Sequence, residues 1–490
     1  MIAALLRRWP ALLLLAAMLF LPAVGPRPAL PAEGASAPDR AVKDDPLARV
    51  AALLIGEETV SGGAYAKLAW LTDRIGPRLS GSPGAEAAVA WAVQEMKRDG
   101  LSNVRTEKVM VPRWIRGEET ASIVSPASHT LAVTALGMSE PTPAGGITAP
   151  VVEAASFDEL HRLGDGVRGK IVLYNRPIIP GSRENGYGSA AELRYRGAAE
   201  AAKQGAVAML IRSLGTLNAR LVHTGSHEYE EGVPRIPAAA ISAEDAELIH
   251  RLAASGETVE VRLILGCRLL PDVESANVIG ELRGQTLPGE IVVIGGHTDS
   301  WDLGTGAIDD GTGVAASLEA LRLLKKLGLR PRRTIRVVLF MNEENGIRGG
   351  RAYLETHQSE MEMHGVAIEA DSGAGRPTGF SINAGPGGDE TVRRLAAHLK
   401  SISATGVEAG GDGGVDISPM LAAGVPLMGL RQEGGDYFHW HHSAADTLDK
   451  VDPRNLADSA AALAFMAYAL ADLERPLPRI PPEARNAPDH

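Results

Sequence analysis

Cysteine is almost absent from this chain of 490 residues, and its single copy, Cys267, cannot form an intramolecular disulfide. A chain of this length can bury a large hydrophobic core, so its stability does not require disulfides. Aromatic residues are also scarce, at 4% of the sequence. The chain therefore offers no obvious platform on which nucleic-acid bases would stack.

Positive charge is in deficit, because 60 acidic residues outweigh 49 basic ones and give a net charge of −11. This balance argues against nucleic acid or an anionic membrane surface as a partner. Sequons of the Asn-x-Ser/Thr type are lacking too, so N-linked glycans are not expected. At roughly 150 residues per domain, the length predicts two or three domains.

Long apolar runs are missing after the N-terminus, so no later segment is expected to span a membrane. At the N-terminus itself, Arg7 and Arg8 precede an apolar stretch over 11–20, and small residues follow it. The stretch has about half the length that a membrane-spanning helix needs. This pattern predicts a cleaved signal peptide at 1–32, and therefore a secreted or periplasmic protein, with an uncleaved anchor as the alternative.

The polar residues of greatest chemical interest begin in the stretch 291–313. Four β-branched residues, Ile291 to Ile294, predict a strand buried on both faces, and a helix is predicted over 314–327. The polar residues between them are His297, Asp299, Asp309 and Asp310. Sites in open α/β sheets form in loops at the carboxyl ends of strands, and imidazole and carboxylate are ligands of zinc.

A second acidic pair, Glu343 and Glu344, comes after the predicted strand 334–341. On extended backbone adjacent side chains point in opposite directions, so one carboxylate can bind a metal while the other faces the reacting water. This division suits metal-assisted hydrolysis, in which a carboxylate takes a proton from water. Asp371 follows the strand 366–370 and is expected at the same edge of the sheet.

Three histidines within four residues, His439, His441 and His442, are the last candidate ligands. One of them, added to the residues above, completes a ligand set for two divalent ions with one bridging carboxylate and one carboxylate left over as a base. The residues alone leave open which of the three histidines binds.

Strands and helices alternate from residue 277 onward, which predicts an α/β sheet covered by helices on both faces. An inserted β-rich accessory domain is predicted upstream, where short β-branched runs alternate with turns, and its His223 and His227 are expected at the surface. The predicted organisation is a signal peptide at 1–32, the first part of the catalytic domain at 33–120, the insert at 121–270, the main catalytic domain at 271–475, and a loose Pro-rich tail at 476–490.

Together these motifs resemble the zinc aminopeptidase and glutamate carboxypeptidase family of dizinc exopeptidases. The resemblance covers most of the chain, from about residue 49 to 473, and it is specific because the motifs occur in combination. The catalytic motifs are Gly296-His297-Thr298-Asp299, Ala307 to Gly313, Asn342 to Gly346, Glu369-Ala370-Asp371 and His442 to Thr447. Further similar stretches are Gly76 to Ser82, Tyr195 to Lys203 and His223-Thr224-Gly225.

The resemblance implies a phosphorylase/hydrolase-like catalytic domain with a mixed sheet, a protease-associated domain at 121–270, and two zinc ions. The resemblance implies that His297 and Asp371 hold one zinc ion, that Glu344 and His442 hold the second, and that Asp309 bridges the two. The peptide bond from Asp309 to Asp310 is implied to be cis. Asp299 is implied to orient His297, and Glu343 to act as general base. His442 is preferred to His441 and His439 because the family spacing His-Ser-x-x-Asp-Thr matches there. Tyr437 is a weaker candidate for polarising the substrate carbonyl.

The resemblance also implies a function, the hydrolysis of short peptides by a zinc-bridged water that Glu343 deprotonates to hydroxide. A dipeptidase or aminopeptidase is favoured, with a carboxypeptidase on short peptides as the alternative. A glutaminyl cyclase-like enzyme and a non-catalytic, receptor-like relative are alternatives of other classes, and the full set of ligands plus base argues against both. A homodimer is implied as well.

Overall fold

Two eight-stranded sheets organise the protein, one in the insertion and one built from the segments on either side of it. The computed structural model describes residues 45–182, 185–411 and 413–485. The predicted signal peptide at 1–32 and the leader up to residue 44 lie outside the described residues. None of the helices in the described part combines the length and the hydropathy that crossing a bilayer requires.

Within the described residues, three α-helices and one long strand precede the insertion. They are α1 (Pro46–Ser61), α2 (Ala64–Trp70), α3 (Pro83–Arg98) and β1 (Ser102–Ile115). Helical patterning runs through 46–71 in the sequence, but Gly62 and Gly63 divide it into two helices because glycine destabilises a helix interior. α3 begins after Ser82, whose hydroxyl accepts a hydrogen bond from the Ala85 amide at 3.2 Å and so caps the helix.

The insertion contains helices as well as strands. Its elements are β2 (Glu119–Ser125), β3 (His129–Leu131), β4 (Val133–Ala135), β5 (Ile147–Ala154), α4 (Phe157–Leu163), β6 (Ile171–Tyr174), α5 (Tyr187–Lys203), β7 (Ala208–Arg212), β8 (Ala238–Ile241), α6 (Ala243–Ala254) and β9 (Glu260–Leu265). The strand order is β3-β2-β9-β5-β6-β7-β8-β4, with β5 to β8 parallel.

The rest of the chain returns to the first sheet. Its elements are β10 (Arg268–Leu282), β11 (Leu287–His297), α7 (Thr312–Lys326), β12 (Arg333–Phe340), α8 (Arg348–Thr356), β13 (His364–Glu369), β14 (Pro377–Asn383), α9 (Gly388–Ala396), β15 (Gly406–Ala409), β16 (Leu427–Gln432), α10 (Tyr437–Trp440) and α11 (Pro453–Asp472). β1 and β10 pair antiparallel along most of their length, which ties together the two ends of the insertion. The predicted domain limits, 121–270 for the insert, stay a prediction.

Four neighbouring parallel strands, β12, β11, β13 and β16, form the centre of this sheet. The strand predicted over Ile291 to Ile294 belongs to β11 and is buried throughout. Parallel strands end at a common edge, and this edge receives the polar residues predicted from the sequence. His297 is the last residue of β11, Glu343 follows β12, and Asp371 follows β13.

Helices cover both faces of the sheet, as the sequence predicts. On one face, Val292 packs in a cluster with residues of α7 and α11, and on the other, Val293 packs with Phe340 and with Tyr353 of α8. Successive side chains of a strand point to opposite faces of the sheet. Val292 and Val293 therefore both have apolar neighbours because helices cover both faces. Each such side chain contributes about 1.5–3 kcal/mol on burial.

The Pro-rich tail is not loose as far as it is described, so this prediction is wrong for 476–485. Leu477 and Ile480 are buried in the apolar clusters of the sheet. Arg479 donates hydrogen bonds to the carbonyl oxygens of Ala423 at 2.6 Å and His364 at 3.2 Å. Proline content indicates the absence of a helix but says nothing of whether a segment packs against the domain.

Candidate metal centre

Six polar residues from separate parts of the sequence meet at the carboxyl edge of β11, β12 and β13. They are His297, Asp309, Glu343, Glu344, Asp371 and His442. Each was expected at this edge because it follows a strand or lies in a late loop. The topology brings them together because the three strands are adjacent and parallel.

Asp309 lies between two histidine–carboxylate pairs. Its Oδ1 is 3.3 Å from Nε2 of His297, and its Oδ2 is 3.3 Å from Nε2 of His442. On one side, His297 Nε2 is 3.8 Å from Oδ2 of Asp371. On the other side, His442 Nε2 is 3.0 Å from Oε2 of Glu344. One carboxylate thus faces two imidazole–carboxylate pairs, the donor set that two metal ions with a shared ligand require.

Several donor atoms at this place are buried without a hydrogen-bond partner. They include His297 Nε2, Asp309 Oδ2 and Asp371 Oδ1. Buried polar atoms nearly always have a hydrogen-bond partner. Three potential ligand atoms without one, close together, therefore indicate a bound group. Imidazole nitrogen and carboxylate oxygen are preferred ligands of zinc, and the residues present therefore fit such an ion.

Burial perturbs the carboxylates of the site strongly. Burial, reinforced by the negative charge of Asp309, raises the pKa of Glu344 to about 7 and that of Asp371 to about 6. Burial would raise the pKa of Asp309 as well, but the imidazoles of His297 and His442 hold this pKa well below its usual range. Crowding of this kind favours a divalent cation, because the cation stabilises the ionised form of every carboxylate around it.

The loop after β11 fixes the orientation of His297. The ring donates from Nδ1 to the carbonyl oxygen of Asp299 at 3.0 Å, which directs Nε2 towards Asp309. Asp299 was expected to orient His297, and the group that contacts the ring is its backbone carbonyl rather than its carboxylate. The carboxylate instead accepts hydrogen bonds from the amides of Asn342 at 2.7 Å and Glu343 at 3.2 Å, because it lies beside the turn that follows β12.

The Glu343-Glu344 pair lies in this turn rather than on extended backbone, so the expected alternation of a strand does not place the two side chains. Glu344 is held by Oε1, which accepts a hydrogen bond from the amide of Trp301 at 3.1 Å, while Oε2 faces His442. Glu343 is fixed through its backbone amide on Asp299 and belongs to neither histidine–carboxylate pair.

Two residues outside the predicted site shape the loop that carries Asp309. The fully buried guanidinium of Arg78 donates to three carbonyl oxygens of this loop, those of Thr298, Thr305 and Gly306. Oδ1 of Asp446 accepts hydrogen bonds from two successive amides just before Asp309. The motifs that contain Arg78 and Asp446 are visible in the sequence, but the role of these residues as loop fasteners is visible only in the structure. The Asp309–Asp310 peptide bond is cis.

The histidine segment brings two imidazoles to Asp309 rather than one. His441 and His442 stack with ring centroids 3.5 Å apart, and His441 Nε2 lies 3.5 Å from Asp309 Oδ2. Only His442 also contacts Glu344, while His439 pairs with Asp436 at 3.1 Å, away from the site. Among the described residues, the groups whose geometry suits a metal are Asp309 with His441 and His442, and His297 with Asp310 and Asp371.

Asp310 therefore joins the residues around the site, although it was not predicted as a ligand. Its carboxylate accepts hydrogen bonds from the backbone amides of His297 at 3.1 Å and Gly313 at 3.0 Å. These two bonds attach it to the end of β11 and to the start of α7. Tyr437 also belongs to the neighbourhood, because its ring centroid lies 4.9 Å from that of His441. Burial, and then the charges of Asp309 and Asp371, raise the pKa of Tyr437 well above its usual value.

The insertion reaches the site through His223. Both histidines of this loop, His223 and His227, were expected at the surface and are in fact buried. His223 is 3% exposed and His227 is 2% exposed. Nδ1 of His223 donates to the carbonyl oxygen of His441 at 2.6 Å. The expectation failed because polar loop residues look exposed when the element that covers them lies more than 200 residues away in sequence.

Comparison with known proteins places this geometry in a family. The profile of peptidase family M28 matches residues 277–467, and the PA domain profile matches 147–249. Carboxypeptidase Q of Mus musculus and of Homo sapiens are each 42% identical over 416 residues, covering 85% of this chain and 87% of theirs. The chain belongs to peptidase family M28.

Solved structures of M28 peptidases share the architecture. The crystal structure of a peptidase M28 precursor from Shewanella amazonensis has a TM-score of 0.86 and 41% identity, and it covers 90% of this chain and 100% of its own. A zinc aminopeptidase from Bacillus subtilis, at 22% identity and a TM-score of 0.62, shares the fold. Membership of the M28 family confirms the predicted fold, the insertion of a protease-associated domain, and the prediction of a metallopeptidase of the exopeptidase class.

The contacts of the three histidines in this M28 site generate a prediction about metal binding. Replacing His442 with Ala should remove most of the metal from one position, because His442 contacts both Asp309 and Glu344. The same change at His441 should cost much less metal, and the change at His439 should cost none. Metal content of the three purified variants after dialysis, measured by mass spectrometry, tests this order. Equal loss at His441 and His442 would show that the sequence spacing selects the wrong imidazole.

Proposed function

We propose that this M28 peptidase is an exported dizinc exopeptidase that hydrolyses short peptides. The observation that supports this most directly is the position of Asp309 between two histidine–carboxylate pairs. In this proposal His297 and Asp371 hold one zinc ion, and His442 and Glu344 hold the other, with Asp309 shared. The names of similar proteins agree, since they include a zinc aminopeptidase and carboxypeptidase Q.

Zinc at this position would lower the pKa of a bound water and polarise the carbonyl of the scissile peptide bond. The chain's own residues supply the remaining steps. Glu343 lies beside the ligands without belonging to either pair, and its amide is fixed by Asp299. We assign Glu343 as the general base that takes the proton from the attacking water and passes it to the leaving amine. Tyr437 stays a candidate for contacting the carbonyl oxygen.

A cavity lies beside the histidine segment, at its junction with the insertion. A cavity of about 470 Å³ lies between the insertion and the segment before the histidines, lined by Ile178, Ile179, Tyr187, Gly434 and Phe438 among others. Tyr187 stacks on Phe438 with centroids 4.5 Å apart and meets the ring of His441 at 5.1 Å. None of the six residues of the centre lines this cavity, but Tyr187 and Phe438 of its lining contact the ring of His441. Its volume accommodates a few amino acids, so we propose that it receives part of a short peptide.

Two parts of the proposal, export and dimerisation, rest on the resemblance to known peptidases and not on the geometry of the site. Export, after removal of 1–32, and assembly as a homodimer both remain part of the proposal. Glutaminyl cyclase-like and receptor-like functions are disfavoured, because the described site retains residues for two ions together with a free carboxylate.

Purified protein should contain about two zinc ions per chain, and removal of zinc by a chelator should abolish peptide hydrolysis. Zinc is counted by mass spectrometry against protein concentration, and activity is measured before and after zinc is restored. A fully active preparation with one zinc ion per chain would sink the dizinc assignment.

The Glu343-Glu344 pair provides a matched test of roles, since both changes replace a carboxylate with its amide. Glu343→Gln should lower kcat at least about 10²-fold, the scale of general-base catalysis, with zinc retained. Glu344→Gln should instead weaken zinc binding, because its Oε2 contacts His442. Steady-state kinetics and zinc content of both variants decide the matter. If the Glu343 variant loses zinc and the Glu344 variant keeps it, the roles are reversed.

Blocking one terminus of the substrate distinguishes an aminopeptidase from a carboxypeptidase. We expect preference for dipeptides with a free N-terminus, because a roofed cleft fixes both ends and the acidic site favours an amine. The measurement compares one dipeptide with its N-acetylated and C-amidated forms. Retained activity on the acetylated form, with loss on the amidated one, would identify a carboxypeptidase, as the name of the similar mammalian proteins indicates.

A further inference from the structure

We infer that His223 of the insertion is a positioning residue for the metal centre, which holds the His441–His442 segment so that His442 faces Asp309 and Glu344. This inference rests on the proposed role of His442 as a zinc ligand. It makes the inserted domain a structural part of the metal site, in addition to being a cover for the substrate.

The first support is a set of hydrogen bonds that crosses from the insertion to the histidine segment. His223 forms a β-bridge with Ser443, and its Nδ1 donates to the carbonyl oxygen of His441 at 2.6 Å. The amide of Thr224 donates to the carbonyl oxygen of His442 at 2.8 Å. In return, Nδ1 of His442 faces the carbonyl oxygen of Thr224 at 3.3 Å. The backbone and the ring of His442 are thus both held by Thr224, while the ring of His223 holds the carbonyl of His441, the residue before it.

This contact determines which nitrogen of His442 faces the site. A histidine ligand is oriented by the hydrogen bond of its other ring nitrogen, and such outer partners affect metal affinity by about 10–100-fold. Because Nδ1 of His442 is engaged by Thr224, Nε2 is left for Asp309 and Glu344. His442 also has a positive φ of 58°, a conformation that a residue without special turn chemistry keeps only when its surroundings enforce it.

His223 is itself rigidly held, which is what a positioning residue requires. Its backbone amide donates to Oγ of Ser213 at 3.0 Å. The backbone at Gly215 approaches the ring so closely that an added Cβ would lie 2.3 Å from Nε2. The carbonyl oxygen of His441 can only accept a hydrogen bond, so this contact places a ring proton on Nδ1 of His223.

The neighbouring residues fasten the rest of this loop to the insertion and to the catalytic part. Arg194 donates from Nε to the carbonyl oxygen of Ser226 at 3.1 Å. Arg116 donates to the carbonyl oxygen of Ala135 at 2.7 Å and pairs with Asp302. Oγ1 of Thr224 donates to the same carbonyl of Ala135 at 3.0 Å. These hydrogen bonds fix the position of the loop, and through the loop the insertion fixes the position of His442.

The chain offers a matched control in His227, four residues further along the same loop. It is equally buried, and its Nδ1 donates to the carbonyl oxygen of Gly137, within the insertion, at 2.9 Å. Both histidines therefore bury one imidazole and satisfy one carbonyl. Only the bond of His223 ends on the histidine segment.

The experiment compares His223→Leu, His223→Asn and His227→Leu in the full-length protein. Zinc affinity is measured by competition with a chromogenic chelator, and kcat, KM and the melting temperature are measured beside it. His223→Leu should weaken one of the two zinc sites by about 10-fold or more, and lower kcat more than it raises KM. His223→Asn, which keeps an N–H donor near the position of Nδ1, should recover most of the zinc affinity. His227→Leu should lower the melting temperature and leave zinc affinity unchanged.

Two results would overturn the inference. In the first, His223→Leu resembles His227→Leu, with a lower melting temperature and unchanged affinity at both zinc sites, which is the outcome for packing alone. In the second, the Asn variant is as weak in zinc binding as the Leu variant. His442→Ala separates the inference from the proposed function. If this variant loses zinc while His223→Leu does not, only the inference fails, and if it keeps both ions, the ligand assignment fails and takes the inference with it.

Discussion

Burial of many carboxylates at one edge of a sheet is the constraint on which the rest of this structure depends. Removing an ionised carboxylate from water costs several kcal/mol unless hydrogen bonds or opposite charges offset it. The protein satisfies its acidic residues here in two ways. Asp299, Asp310 and Asp446 each accept two backbone amides, so they fasten loops. Asp309, Glu344 and Asp371 face imidazoles, and Asp309 and Asp371 each keep one oxygen without a hydrogen-bond partner, as ligands do.

The carboxylates that accept backbone amides hold several loops of the site in place. The loop before Asp309 is fixed by Asp446 and by Arg78, whose guanidinium takes three of its carbonyl oxygens. The turn with Glu343 is fixed by Asp299. Preorganised loops matter for catalysis because a displacement of about 1 Å in a reacting group costs roughly 10²-fold in rate. The acidic residues that do not face the metal position thus contribute to function by holding those that do.

Hydrogen bonds from the insertion also hold part of the site in place. Its sheet is separate from the catalytic sheet, but its loop at 223–226 pairs with the histidine segment through backbone and ring hydrogen bonds. The cavity beside Tyr187 and Phe438 lies along the same junction. One interface therefore borders this cavity and contacts a candidate ligand.

The amino-acid sequence by itself determined the fold class, the buried central strand and the residues at the sheet edge. Hydrophobic period and strand ends are local signals, and parallel strands bring their ends together whatever the loops do. Short strands such as β14 and β15, which have glycine or proline near their ends, lack that signal, and they were not predicted. Only the tertiary structure decided that Asp299 fastens a turn, that His441 stacks beside His442, that Arg78 holds the loop before Asp309, and that His223 is buried against a segment more than 200 residues away. These outcomes depend on which distant backbone groups become buried together, and a buried polar group is paired by whichever donor or acceptor the packing places beside it.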